Sequence, residues 1–113
     1  MKTRALFVCA RNRWRSPTAE RIFARDPNLD VRARGLSPRS PRRLSARDVA
    51  WADVIFVMEH AHRTRLRQAF GQGQPIVAPI EVLDIPDEYE FMDPELVELL
   101  EERVGEFLAE RDD

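Results

Sequence analysis

The stretch Cys9-Ala10-Arg11-Asn12-Arg13-Trp14-Arg15-Ser16-Pro17 carries the only cysteine of the chain, with an arginine, a serine and a proline closing it. Each of these residue types has a use toward a tetrahedral oxyanion. A loop entering a helix N-terminus points backbone N–H groups inward, and those donors plus the helix dipole suit a dianionic, phosphate-like group. An arginine at the end of the loop grips two of its oxygens at once. The same positive field favours thiolate over thiol. A thiolate beneath a bound phosphate is placed for in-line attack, giving a phosphocysteine that water later releases. Ser16 can donate to the sulfur and stabilise it as a leaving group. A bare Cys-x5-Arg spacing recurs by chance, and a single cysteine ending an apolar strand is more often an inert core residue.

Such a loop needs a strand before it and a helix after it, and the flanking sequence supplies both. Arg4–Cys9 is short, apolar and nearly free of polar alternation, the pattern of a strand buried on both faces. Ser16–Arg25 has Ala19, Ile22 and Phe23 at helical spacing, and Asp26-Pro27-Asn28 stops it. Leu29–Ala33 alternates as a second strand ended by Gly35. Leu36–Arg43, with its Ser-Pro and Pro-Arg steps, reads as a loop, and Ser45–Ala50 as a short helix capped by Ser45. Asp53–Met58 is a β-branched continuous strand. His60–Phe70 is helical and ended by Gly71 and Gly73. A short fourth strand falls within Pro75–Leu83. Asp93-Pro94-Glu95 opens a last helix, running to about Glu110, with Leu96, Val97, Leu100, Val104 and Phe107 on one face.

Strands alternating with helices predict a three-layer α/β/α domain around a central four-stranded parallel sheet, residues 1–113 forming one domain. Ligands of such folds bind outside the carboxyl ends of the strands, where Cys9 stands.

The chain of 113 residues is 43% hydrophobic, enough for a core at this length. No run approaches a membrane span of about 20 apolar residues, and the opening MKTRALFVCA is too short and too soon charged for a signal peptide. One cysteine forms no internal disulfide, so the expected compartment is the reducing cytoplasm. Residues 1–67 hold 16 Lys/Arg against 6 Asp/Glu, and residues 81–113 hold 14 Asp/Glu against 2 arginines. Seventeen of the 18 cationic residues are arginine, the side chain shaped to fork onto phosphate or carboxylate. The basic first half suits an anionic substrate; an Arg-rich composition and a solvated acidic helix account for the same split without one. With one Cys and two His spaced i, i+2, neither a zinc nor another transition-metal site is expected, and no cofactor.

Taken whole, the string Cys9, Asn12, Arg15, Ser16, Pro17 closely resembles the C-x2-N-x2-R-S-P signature of the low-molecular-weight protein tyrosine phosphatases, and Thr18-Ala19-Glu20 resembles that family's small-residue helix start. The resemblance implies a flavodoxin-like fold, Cys9 as nucleophile, a phosphate-binding loop of Ala10, Arg11, Asn12, Arg13, Trp14 and Arg15, and support from Ser16. It also covers Ala52–Glu59 as the central strand, and it places His62 at a histidine that buttresses the loop asparagine, here Asn12. The family's general acid comes from an Asp-Pro-aromatic loop often preceded by Ile-Pro. In Asp84-Ile85-Pro86-Asp87-Glu88-Tyr89 that alignment makes Asp87 the acid and Tyr89 the aromatic, with Glu88 in place of the proline and Asp84 as the competing acid. Asp93-Pro94 better resembles a helix cap.

Departures from the pattern bear on substrate rather than on phosphate chemistry. The chain is shorter than a usual member by some tens of residues between Gly35 and Asp53, where the family carries part of its aromatic cleft. Arginines, Arg39 among them, stand there instead. Arg11 replaces a usual glycine and Ala33 a usual serine. Trp14 and Tyr89 are candidates to replace the lost aromatic wall.

The implied activity is hydrolysis of phosphomonoesters through phosphocysteine, on a phosphorylated protein (phosphotyrosine above all) or a small phosphomonoester, with no membrane partner. Two alternatives stay open: an arsenate reductase using an external thiol, since no second cysteine exists to resolve an intermediate, and a non-catalytic phosphate- or nucleic-acid-binding module built on Arg11, Arg13, Arg39, Arg42 and Arg43. No nucleic-acid motif accompanies that patch. Oligomeric state leaves no trace in the sequence.

Overall fold

A computed structural model describes residues 2–73 and 75–111. Its elements follow in the order β1 (Thr3–Cys9), α1 (Arg15–Phe23), β2 (Leu29–Gly35), α2 (Ala46–Trp51), β3 (Val54–Val57), α3 (His60–Phe70), β4 (Ile80–Val82) and α4 (Pro94–Arg111). All strand pairs are parallel, in the order β2-β1-β3-β4. This is the three-layer architecture expected from the alternation, with the flavodoxin-like strand order that the resemblance implied.

The period of two along β1 sorts its side chains onto the two faces. Ala5, Phe7 and Cys9 join Val54, Phe56, Met58, Ile85 and the Leu96, Leu100 and Val104 stripe of α4, with Ala19 of α1. Leu6 and Val8 join Ile55, Val57 and Leu66 of α3, with Val49 and Trp51 of α2 packed against them. Phe7 stacks between Phe23 at 5.6 Å and Phe56 at 5.2 Å, centroid to centroid, and Phe107 meets Phe56 edge-on. Two helices therefore cover each face.

Helix starts follow their local chemistry. Ser45 caps α2 through a capping box with Asp48: the Asp48 N–H donates to Ser45 Oγ, and the Ser45 N–H donates to the Asp48 carboxylate. Asp48 is buried, yet its carboxyl is held below the usual range. Burial raises it, and the Ser45 hydrogen bonds with the Arg34 and Arg32 guanidiniums outweigh that. Gly71 ends α3 in ordinary right-handed geometry, so the left-handed turn falls at Gly73 (φ 85°) instead.

The register sets the working end of the sheet. Cys9 lies opposite Gly35, and Val57 opposite Val82. The segment after β2 is tied to the segment after β1 by Leu36 N–H to Cys9 O (3.0 Å) and Ser37 N–H to Ala10 O (2.7 Å). This closeness needs glycine at 35. A Cβ there would lie 2.9 Å from the Arg11 backbone carbon and closer still to the Ser40 side chain. Gly35→Ala is accordingly expected to cost about 1–3 kcal/mol, seen as a lower thermal unfolding midpoint. Gly105→Ala, where a methyl meets nothing within 4 Å on a helix, should raise it.

Candidate active site

Beyond β1 the chain curls, and Asn12 takes a left-handed φ of 53°. Asparagine tolerates that conformation better than most residues. The curl returns the Asn12 N–H to Cys9 Sγ at 3.2 Å. Ser16, in the first turn of α1, brings its hydroxyl to the same sulfur at 2.9 Å. Asn12 Nδ2 donates to Ser16 Oγ at 2.8 Å, so one lone pair of that oxygen is taken and its own hydrogen is free to donate to the sulfur. Cys9, Asn12 and Ser16 are all buried. Above the sulfur opens a cavity of about 300 Å³ lined by Cys9, Ala10, Arg11, Arg13, Trp14, Arg15 and Asp87.

Arg15 is only 3% exposed, and its guanidinium is fixed on one edge. Nη1 donates to Glu59 Oε2 (2.6 Å) and to the Ile85 carbonyl (2.8 Å). Nε faces Asp87 Oδ1 at 3.7 Å, which leaves the Nε and Nη2 side turned toward the cavity's carboxylate. A phosphoryl group in the cavity would meet that edge as a fork. Glu59 is in turn held by His62. The Glu59 N–H donates to His62 Nδ1 (3.2 Å), and His62 Nε2 lies 3.5 Å from Glu59 Oε2. The Arg15 hydrogen bond holds the Glu59 carboxyl below its usual range. Burial, and then the Arg15 charge, lower His62 from 6.5 to about 4, so near neutrality it is an uncharged imidazole.

The expected contact of His62 with Asn12 is therefore corrected. His62 braces Arg15 by way of Glu59, because the first turn of α3 opens toward the end of β3. The partner of Asn12 Oδ1 is Arg42, whose Nε donates at 3.2 Å. Arg42 Nη1 pairs with Glu20 Oε1 at 2.8 Å.

The other expected residues divide. Asp87 lines the cavity. Asp84 stands outside that lining, on an exposed left-handed turn (φ 56°) whose carbonyl accepts from Arg103. Trp14 lines the cavity, 38% exposed, with the Arg13 guanidinium 5.3 Å from its ring centroid. Tyr89 instead packs against the core cluster of β1 and α4. Arg39 is exposed on the turn after β2 and is not part of the cavity wall. The sequence pattern assigns none of these roles to Glu59, Glu20 or Arg42. The position of Glu59 just past β3 was the available signal for it; Arg42 is one of many arginines, and no pattern distinguishes it.

No family model and no curated protein matches the chain. Solved structures do, over nearly the whole length of both partners. The tyrosine phosphatase Wzb from Escherichia coli K30 is similar with a TM-score of 0.74 at 18% identity, covering 97% of this chain and 99% of that one. The YwlE arginine phosphatase from Geobacillus stearothermophilus is similar with a TM-score of 0.69 at 19% identity, covering 96% and 94%. SP-PTP, a low molecular weight protein tyrosine phosphatase from Streptococcus pyogenes, is similar with a TM-score of 0.71 at 18% identity, covering 97% and 93%. At such identities the likeness is one of fold, and it is the fold that the Cys9–Pro17 string implied.

The lowered His62 has a consequence for stability. Between pH 6.5 and about 4 the unfolded chain binds a proton at residue 62 that the folded chain refuses. Stability is therefore highest above pH 6.5 and falls as the pH drops through that window, by a total of roughly 3 kcal/mol. Urea unfolding of wild type and His62→Gln at pH 7, 6, 5 and 4 should show the loss in wild type and a flatter profile in the variant.

Proposed function

We propose that the chain is a cysteine-dependent phosphatase acting on protein phosphotyrosine in the cytoplasm. One observation carries the reading: Cys9 lines a cavity together with Arg15 and Asp87, its Sγ accepts the Asn12 N–H at 3.2 Å and has the Ser16 hydroxyl, free to donate, at 2.9 Å, and Arg15 Nε faces the Asp87 carboxylate at 3.7 Å. Those donors stabilise a sulfur anion, which is both the attacking and the departing species.

In the first step the Cys9 thiolate attacks phosphorus in line. The P–O bond to the tyrosine breaks, and Asp87 delivers its proton to the leaving phenolate oxygen. The Arg15 fork and the loop amides hold the equatorial oxygens. In the second step the Asp87 carboxylate takes a proton from water, and the oxygen attacks phosphorus. The S–P bond breaks and inorganic phosphate leaves. The Ser16 hydroxyl and the Asn12 N–H then receive the charge returning to sulfur.

The rim favours tyrosine over a cationic leaving group. Arg11 and Arg13 are exposed at the cavity, and neither pairs with a carboxylate among the described residues. They would repel a departing guanidinium. Trp14 offers an apolar face to a phenyl ring, and the two arginines would attract acidic residues flanking a phosphotyrosine.

Hydrolysis of p-nitrophenyl phosphate should be clear in wild type, blocked by vanadate, and lost in Cys9→Ser. Asp87→Asn should slow poor leaving groups by about 10²-fold or more, with Asp84→Asn near wild type; the opposite order would move the acid to Asp84. No turnover, together with salt-sensitive RNA binding, would favour a binding module instead. A second expectation concerns the rim. Changing Arg11 and Arg13 together to glutamine should raise KM for an acidic phosphotyrosine peptide several-fold more than KM for p-nitrophenyl phosphate, with the difference shrinking at high salt.

A further inference from the structure

We infer that Arg42 is a positioning residue: by donating to Asn12 Oδ1 it fixes the facing of the Asn12 amide, and so keeps the Ser16 hydroxyl hydrogen on the Cys9 sulfur. This deepens the phosphatase reading and rests on it for its kinetic effect, though not for its chemical readout.

The geometry is a chain of four contacts. Glu20 holds Arg42 Nη1 at 2.8 Å, Arg42 Nε donates to Asn12 Oδ1 at 3.2 Å, Asn12 Nδ2 donates to Ser16 Oγ at 2.8 Å, and Ser16 Oγ lies 2.9 Å from Cys9 Sγ. A guanidinium has only donors, so the atom of Asn12 that faces it must be the carbonyl oxygen. That leaves the amide nitrogen for Ser16. Because Ser16 Oγ then accepts, its single hydrogen is available to the sulfur; the competing acceptor, the Arg34 carbonyl, is farther away at 3.5 Å. Were the amide reversed, Asn12 Oδ1 would face the hydroxyl and take that hydrogen. The sulfur would keep only the Asn12 N–H.

Arg42 is well placed for the task. The Gly35 N–H donates to the Arg42 carbonyl (2.9 Å), and the Leu44 N–H to the Gly35 carbonyl (2.8 Å), which moors residue 42 beside the strand partner of Cys9. Glu20 is anchored too, accepting the Ala33 N–H at 3.1 Å. The Arg42 side chain is 43% exposed, so its ion pair with Glu20 contributes little stability by itself. Its effect lies in Asn12, 4% exposed, where a carbonyl without a donor is costly.

The single cysteine makes the test direct, since iodoacetamide alkylation reports one sulfur. Arg11, Arg13, Arg15 and Asp87 also face that sulfur's cavity and are unchanged in every variant. At pH 6, alkylation in R42M should be about tenfold slower than in wild type, and kcat for p-nitrophenyl phosphate should fall more than KM rises. R42K, again a pure donor, should restore most of the rate. In a Ser16→Ala background R42M should add nothing, because the hydroxyl it orients is gone. An R42M profile matching wild type, or an equal slowing with Ser16 absent, overturns the inference. If R42M does not fold, E20Q replaces it: a smaller slowing that vanishes in Ser16→Ala supports the role, and an unchanged profile sinks it. Correct alkylation behaviour without any hydrolysis would leave Arg42's role standing and remove the phosphatase reading instead.

Discussion

A backbone turn of one residue governs this site. At Asn12 the chain adopts a left-handed conformation, and that curl lays an N–H on the sulfur three residues back. An extended residue there would carry the chain away from β1 and leave the sulfur at the end of a strand with hydrocarbon around it. The turn makes a cavity floor out of what is otherwise the top of the core. Cys9 belongs to the same buried cluster as Phe7 and Phe56, yet it also lines the cavity.

Two separate braces keep that floor in shape, and they arrive from different strands. One comes from the ends of β3 and β4, where Glu59 and the Ile85 carbonyl fix one edge of Arg15, and a neutral His62 steadies Glu59. The other comes from the segment after β2, where Arg42, moored beside Gly35, meets Asn12. The strand order β2-β1-β3-β4 makes this convergence possible, because it puts β1 between partners on both sides. A guanidinium whose far edge is already bonded loses little freedom on gripping an anion, and preorganisation of that kind is what an electrostatic site requires.

The abundance of arginine acquires a division of labour in three dimensions. Arg4, Arg32, Arg34 and Arg42 meet Asp53, Asp48 or Glu20, so part of the basic first half of the chain is structural. Arg32 additionally lies 4.1 Å over the Trp51 ring. Arg11 and Arg13 stay at the cavity rim. The charge asymmetry seen along the chain is thus partly spent on ion pairs within the fold, while Arg11, Arg13 and Arg15 line the cavity.

The order and type of the elements were legible in the sequence because apolar runs, proline and glycine breaks and caps are local signals. β1, α3 and α4 fall within a residue or so of their expected bounds, and Ser45 caps α2 as its side chain suggests. Cys9, Asn12, Arg15 and Ser16 were legible for the same reason, since one continuous loop carries all four. What local signals could not carry was the pairing of side chains from distant segments. Whether Asn12 would meet His62 or Arg42, whether Asp84 or Asp87 would reach the cavity, and whether Trp14 or Tyr89 would face it depend on how loops from four strand ends are moored together. Only the packed sheet decides those distances: a hydrogen bond needs two atoms within about 3 Å, and a linear pattern fixes no distance between residues thirty or more positions apart.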